Sequence, residues 1–252
     1  MTEPLFKSDA GRWHPDPIVR GPFEGMQGGA AAALMCAEVE AAAATESWGF
    51  VASCTTHFLR PVPIESLAVT IEPLRRGKRV NIIDAHLTSS KGLCAIARAT
   101  LIAPAFNEAT PTPPAAPADP EQLPQRRRAA PHGGPWLMDA MEVRGVDGET
   151  SWFRLLRPVV SNAGPMSAVL PAADWAHGVA PPLGADRPRL AAIPNPEVTV
   201  HLFRPPSGAW IGLDAASAWS KQGIGTGWAA LRDMHGLIGR VAMAVAVTML
   251  DA

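Results

Sequence analysis

Two stretches decide the fold: Thr55-Thr56-His57-Phe58-Leu59-Arg60-Pro61 and Thr199-Val200-His201-Leu202-Phe203-Arg204-Pro205. Both read Thr-x-His-x-x-Arg-Pro and keep an apolar pair between His and Arg. They stand 144 positions apart, and so do Gly92-Leu93 and Gly236-Leu237, where each half turns into its last apolar run. Spacing held without a net gap is what copies of one packed unit retain. The chain is therefore expected to hold two copies of one unit, over residues 1–103 and 136–252, joined by a connection over 104–135.

Composition narrows the class. Of 252 residues 47% are apolar, which suits an ordinary packed core, and a net charge of −1 gives no support for general binding of nucleic acid. Cys36, Cys54 and Cys94 all lie in the first half and lack metal or redox spacing, so they read as reduced core cysteines of a reducing compartment. The start, Met1-Thr2-Glu3-Pro4-Leu5-Phe6-Lys7, lacks the apolar core of a secretory signal. The longest uncharged apolar run, Val241 to Leu250, is about half of what a membrane-crossing helix needs. A cytoplasmic location without a membrane span is the expectation.

Within each half the same programme recurs. A short strand is expected around Trp13, then Gln27-Gly28-Gly29 opens an alanine-rich helix, Ala30 to Ala44, stopping near Trp48-Gly49. Its small side chains suit a buried helix that a sheet approaches closely. Strands are expected over Phe50 to Arg60, Ser66 to Leu74, Val80 to Ser89 and Leu93 to Ile102. The proline-rich stretch up to Pro135, with Arg126-Arg127-Arg128, reads as the linker. In the second half, strands around Glu142 to Arg144 and Ser151 to Leu155 precede a helix from Pro165 to His177. A second proline-rich loop, Pro181 to Pro196, leads to strands at Val198 to Arg204, Trp210 to Ser217, Gly225 to Asp233 and Leu237 to Leu250.

This order resembles the acyl-CoA thioesterase II family and its thioesterase-like relatives. The likeness is carried by Gly28-Gly29 at the first helix, His57-Phe58-Leu59-Arg60-Pro61, Val198 to Pro206, the Trp210 strand, and Asp233-Met234-His235-Gly236-Leu237. The resemblance implies an α+β double hot-dog, two tandem repeats each with an antiparallel sheet wrapped around a central helix. It also implies hydrolysis of an acyl-CoA by a water that side chains activate, with no metal or cofactor. Of the three residues that position this water in the family, the aspartate falls on Asp174, the only acid of its helix, and the hydroxyl position on Asn195. The last-strand glutamine falls on Ala246, so one polar partner is missing.

The residues themselves allow competing readings. Asp174 beside Trp175 can be a desolvated base or a solvated acid on a helix face. The free amides of Gly28 and Gly29 can polarise a thioester carbonyl, with Gln27 adding a donor, or the glycines can serve only a tight turn and close packing. Arg75 and Arg76, in the charged turn Arg75-Arg76-Gly77-Lys78-Arg79, are candidates for the phosphates of coenzyme A, against a solvated turn. His57 and His201 read as packing residues, and Arg60 and Arg204 as sheet-edge or inter-half ion pairs. Gly223-Ile224-Gly225-Thr226-Gly227 lacks dinucleotide spacing and reads as a turn. No Gly-x-Ser-x-Gly is present.

Two alternatives stay open beside the thioesterase. Asp174 and His177, three apart on a helix, would suit an enoyl-CoA hydratase. Ala246 would suit an acyl-CoA or lipid-binding protein that has lost catalysis. A homo-oligomer is the expectation from the fold.

Overall fold

The computed structural model describes residues 2–105, 119–180 and 190–249. Much of the proline-rich connection, most of the second proline-rich loop and Leu250 therefore lie outside the described residues. The chain runs β1 (Phe6–Asp9), β2 (Arg12–Pro15), α1 (Gly28–Glu46), β3 (Phe50–Phe58), β4 (Ala68–Arg75), β5 (Val80–Ser89) and β6 (Gly92–Ile102). It continues with β7 (Gln125–Arg126), β8 (Met141–Arg144), β9 (Ser151–Leu155), α2 (Pro165–Ala173), α3 (Ala176–Val179) and β10 (Leu190–Ala192). The last strands are β11 (Glu197–Leu202), β12 (Trp210–Trp219), β13 (Ile224–Asp233), β14 (Gly236–Ala246) and β15 (Thr248–Met249). No helix among the described residues is long and apolar enough to cross a membrane.

Eleven strands form one antiparallel sheet in the order β4-β5-β6-β3-β11-β14-β13-β12-β9-β8-β7. At its centre β3 pairs with β11, the two strands that carry the repeated stretches, and Thr55 stands opposite Thr199. Their hydroxyls meet at 3.1 Å. Strand pairing alternates faces, so Cys54, Thr56, Val198 and Val200 enter the core while His57 and His201 stand exposed on the other face. The two histidines are surface residues of the sheet, not core packing.

α1 is buried almost all round, from Gly29 through Val39, and has no polar stripe over that span. A helix apolar on every side belongs inside, and the run of alanines lets α2 and the sheet approach it. Gln27 caps its start, and Ser47, at φ 56, closes its end in the left-handed conformation.

Several boundaries differ from expectation, among them the last strand, where β14 ends at Ala246 and β15 follows separately. The second helix breaks before His177: α2 contains Pro171, Trp175 N–H tightens onto the Ala172 carbonyl at 3.1 Å, and Asp174 becomes the C-cap ahead of the separate turn α3. β3 ends at Phe58, leaving Arg60 beyond the strand. The connection also supplies β7, because β8 offers an unpaired edge and Arg126 finds Asp147 there. That pairing is non-local, so composition did not show it.

Candidate active site

Asp174 sits at the end of α2 against the start of α1, 4% exposed. The close approach depends on glycine. A Cβ at Gly29 would stand 2.5 Å from the Leu170 carbonyl oxygen and 2.7 Å from the Asp174 Cβ. At Gly28 it would meet the Phe58 ring at 3.0 Å and Asp174 Oδ2 at 3.2 Å. The two glycines thus divide the work: Gly29 lets the helices meet, and Gly28 faces the cleft.

Two side-chain amides hold the carboxylate. Gln27 Nε2 donates to Asp174 Oδ2 at 2.7 Å, and Asn195 Nδ2 donates to Asp174 Oδ1 at 2.7 Å. The Gln27 amide cannot be turned round, because its Oε1 accepts from the Ala30 N–H at 2.8 Å as the cap of α1. Each carboxylate oxygen therefore receives one side-chain N–H, the Gly29 amide adds a main-chain donor, and acceptor capacity remains for water.

Burial pushes the Asp174 carboxyl above the ordinary aspartate range, and His177, Asn195 and the Gly29 amide only partly oppose it. Burial pushes His177 down, against the pull of the Asp174 charge. Both shifts disfavour the charged forms, as desolvation must. His177 is brought in by β13: a Cβ at Gly227 would lie 2.6 Å from the His177 Cβ, so only glycine lets α3 press onto the strand. Its Nδ1 lies 2.9 Å from Met243 Sδ. Gly227 belongs to the stretch read as a turn; only Gly223, at φ 78, serves the turn, and Gly225 and Gly227 lie within β13.

Around these groups opens a cleft of about 390 Å³. Phe23, Met26, Phe58, Val62 and Trp175 make its apolar wall, and Gln27, Gly28, Asn195, Ala246 and His177 line it beside Asp174. Of the residues expected from sequence, Asp174, Asn195, Gln27, Gly28 and Ala246 converge here, with Gly29 directly behind. Arg75 and Arg76 do not. Arg76 stacks 5.3 Å over Trp48 and lies 4.0 Å from Glu46, at the far end of α1. At 1.5 Å per residue this 19-residue helix separates them from Gln27 by about 28 Å. Arg60, read as a sheet-edge or inter-half ion pair, lines the cleft instead; the signal for it lay in its position just before the Pro61-Val62 wall.

Residues 19–102 match the family model of the acyl-CoA thioesterase N-terminal domain, and residues 104–247 that of the acyl-CoA thioesterase C-terminal domain. The chain belongs to the acyl-CoA thioesterase family. Solved structures agree on the fold. A candidate thioesterase from Novosphingobium aromaticivorans, 18% identical, superposes with a TM-score of 0.72 over 97% of this chain and 99% of that one. A hot-dog protein of unknown function from Alicyclobacillus acidocaldarius, 16% identical, gives 0.70 over 98% and 96%. The acyl-CoA thioesterase II TesB2 of Mycobacterium marinum, 15% identical, gives 0.68 over 98% and 96%. A search of the curated proteins finds no match to the sequence. A thioesterase family member with an α+β hot-dog fold thus carries its polar cluster at Asp174.

Proposed function

We propose that the chain hydrolyses acyl-CoA thioesters in the Asp174 cleft, with Asp174 as general base. The observation that carries this reading is the buried carboxylate held by Gln27 and Asn195 beside the start of α1. Asp174 takes a proton from a water as the water oxygen attacks the thioester carbonyl carbon. The oxygen that gains charge lies near the Gly28 N–H, where the first amides of α1 lack helical partners and the helix dipole is positive. The carbon–sulfur bond then breaks, and the protonated Asp174 returns its proton to the thiolate, leaving a free acid and the coenzyme A thiol. A carboxyl whose proton affinity is raised suits both transfers. Gln27 supplies the side-chain amide that Ala246 lacks, from the helix start instead of the last strand.

We read the architecture as a double hot-dog with the boundaries expected above. Supporting this, Thr55 pairs with its own repeat equivalent, Thr199. Gly92 and Gly236 both turn with positive φ, and Leu59 N–H to the Cys94 carbonyl repeats as Phe203 N–H to the Ile238 carbonyl. A second reading, hydration of an enoyl-CoA, is favoured by His177 lining the same cleft.

The test is release of free thiol from a panel of acyl-CoAs, with enoyl-CoA absorbance followed in parallel. Turnover should fall by about 10²- to 10⁴-fold in Asp174→Ala. Full activity in that variant overturns the assignment. Loss of enoyl absorbance without thiol release replaces it with the hydratase, and binding without either reaction replaces it with a binding protein.

A further inference from the structure

The repeated stretch carries one asymmetry of charge. Arg204 is neutralised: its Nη1 and Nη2 donate to Asp233 Oδ2 and Oδ1 at 2.5 and 2.8 Å, and Asp233 is wholly buried. Asp233 also accepts from the His235 N–H at 2.8 Å, fixing the corner of the β13–β14 hairpin. The β5–β6 hairpin is built alike, with Ser89 at the position of Asp233, 144 residues earlier. Ser89 Oγ accepts the Lys91 N–H at 3.1 Å, as Asp233 accepts that of His235. The corner is kept and the negative charge is gone.

Arg60, the counterpart of Arg204, is thereby left with the Lys91 carbonyl, to which its Nη1 donates at 2.7 Å. Among the described residues it makes no ion pair, it is exposed, and it lines the cleft that holds Asp174. Glu24 is the one other exposed charged side chain of that lining. A guanidinium with open donors suits a phosphate, which it can grip with two parallel hydrogen bonds.

We propose that Arg60 anchors a phosphate of the coenzyme A half of the substrate. This rests on the acyl-CoA reading above, and it moves the phosphate contact from Arg75 and Arg76 to the cleft itself.

The experiment compares Arg60→Ala and Ser89→Asp with wild type on an acyl-CoA and on the matching acyl-N-acetylcysteamine thioester, which carries no phosphate. Ser89→Asp places the acid of the second half beside Arg60 and neutralises it as Asp233 neutralises Arg204. Both variants should raise KM for the acyl-CoA about tenfold, as loss of one charge-assisted bond does, and leave kcat and the phosphate-free thioester unchanged. Equilibrium titration with free coenzyme A should show the same loss of affinity. Arg204→Ala should lower the melting temperature without altering the ratio of the two KM values. Equal losses on both thioesters, or unchanged affinity for free coenzyme A, overturn the proposal. If wild type turns over neither thioester, the hydrolase reading fails, and the titration alone still decides the role of Arg60: a weakened variant upholds it, and no binding by wild type refutes it.

Discussion

Gly29→Ala tests whether the closeness of α1 and α2 makes the site. The added carbon would stand 2.5 Å from the Leu170 carbonyl oxygen, where ordinary contact begins at 3.4 Å, and 2.7 Å from the Asp174 Cβ. Neither neighbour is the loose end of a side chain, so the helices must separate by most of an ångström. Overpacking of this kind costs about 1–3 kcal/mol, and alanine returns up to about 1 kcal/mol through helix propensity. With unyielding neighbours the cost lies in the upper part of that range, and the net loss of about 1–2 kcal/mol corresponds to a melting temperature lower by about 2–8 °C for a chain of this length. Activity should suffer more, because a misplacement near 1 Å costs about 10²-fold in a positioned site. Gly28→Ala is the control: its Cβ meets the rim of the movable Phe58 ring, so stability should hold while kcat/KM falls. Thermal melts read by circular dichroism and thiol-release kinetics measure both. A Gly29→Ala protein that melts at or above the wild-type temperature and keeps its kcat/KM would refute the argument.

Three further outcomes are expected. Glu40 accepts from the Met166 and Ser167 amides at 2.7 and 3.1 Å, so Glu40→Ala should cost about 1–2 kcal/mol as a lost helix cap with kcat nearly unchanged, as melts and kinetics will show. The rising limb of kcat/KM against pH should inflect above the ordinary aspartate range, since burial raises Asp174 and the base must be ionised; Asn195→Ala, removing a donor that favours the charged form, should move it higher still. Burial alone would raise Asp233, but the Arg204 bond with the Ser207 and His235 amides outweighs it and holds the carboxyl low. Its stabilisation is therefore present above the unfolded aspartate pKa and lost as pH falls through the folded one, and a melting series should show Asp233→Asn flattening that acid decline.

Much of this was legible because the relevant patterns are local. The glycines at a helix start are a short-range feature and led to Gly28 and its neighbour Gln27, while Asp174 and Asn195 came from the resemblance to the thioesterase II family, placed on the second helix and counted back from Arg204. What was not legible depended on which ends of elements meet. Arg75 and Arg76 are dense in charge, but only the fold shows that their hairpin lies by Glu46 and Trp48, at the wrong end of α1. The exposure of His57 and His201 follows from strand phase: Cys54 and Thr56 take the inner face, so their odd-numbered neighbours must take the outer one. The break at Asp174 goes with the space that Gly227 leaves for α3, and those two residues lie more than fifty positions apart in sequence.

The α1–α2 pair also explains why the chemistry is placed at one end. Asp174 of the second half lies against Gly29 at the start of α1, and Glu40 of α1 lies against Gly164 at the start of α2, where a Cβ would stand 2.3 Å from the Glu40 Cδ. The same meeting of acid and helix start thus occurs twice. What differs is the partner of each oxygen. Burial raises both carboxyls, but Glu40 is engaged by the Ser167 side chain and by the successive main-chain amides of Met166 and Ser167 in α2. Asp174 takes the Gly29 amide too, but two side-chain amides, Gln27 and Asn195, hold it from the flanks and leave its front open to the cleft. An acid whose oxygens close a helix is committed to stability, and an acid held from the sides remains available to a water. Position 195 makes the difference: its counterpart 144 residues earlier is Val51, which has no donor to give, so at the Glu40 end the partners all come from the start of α2.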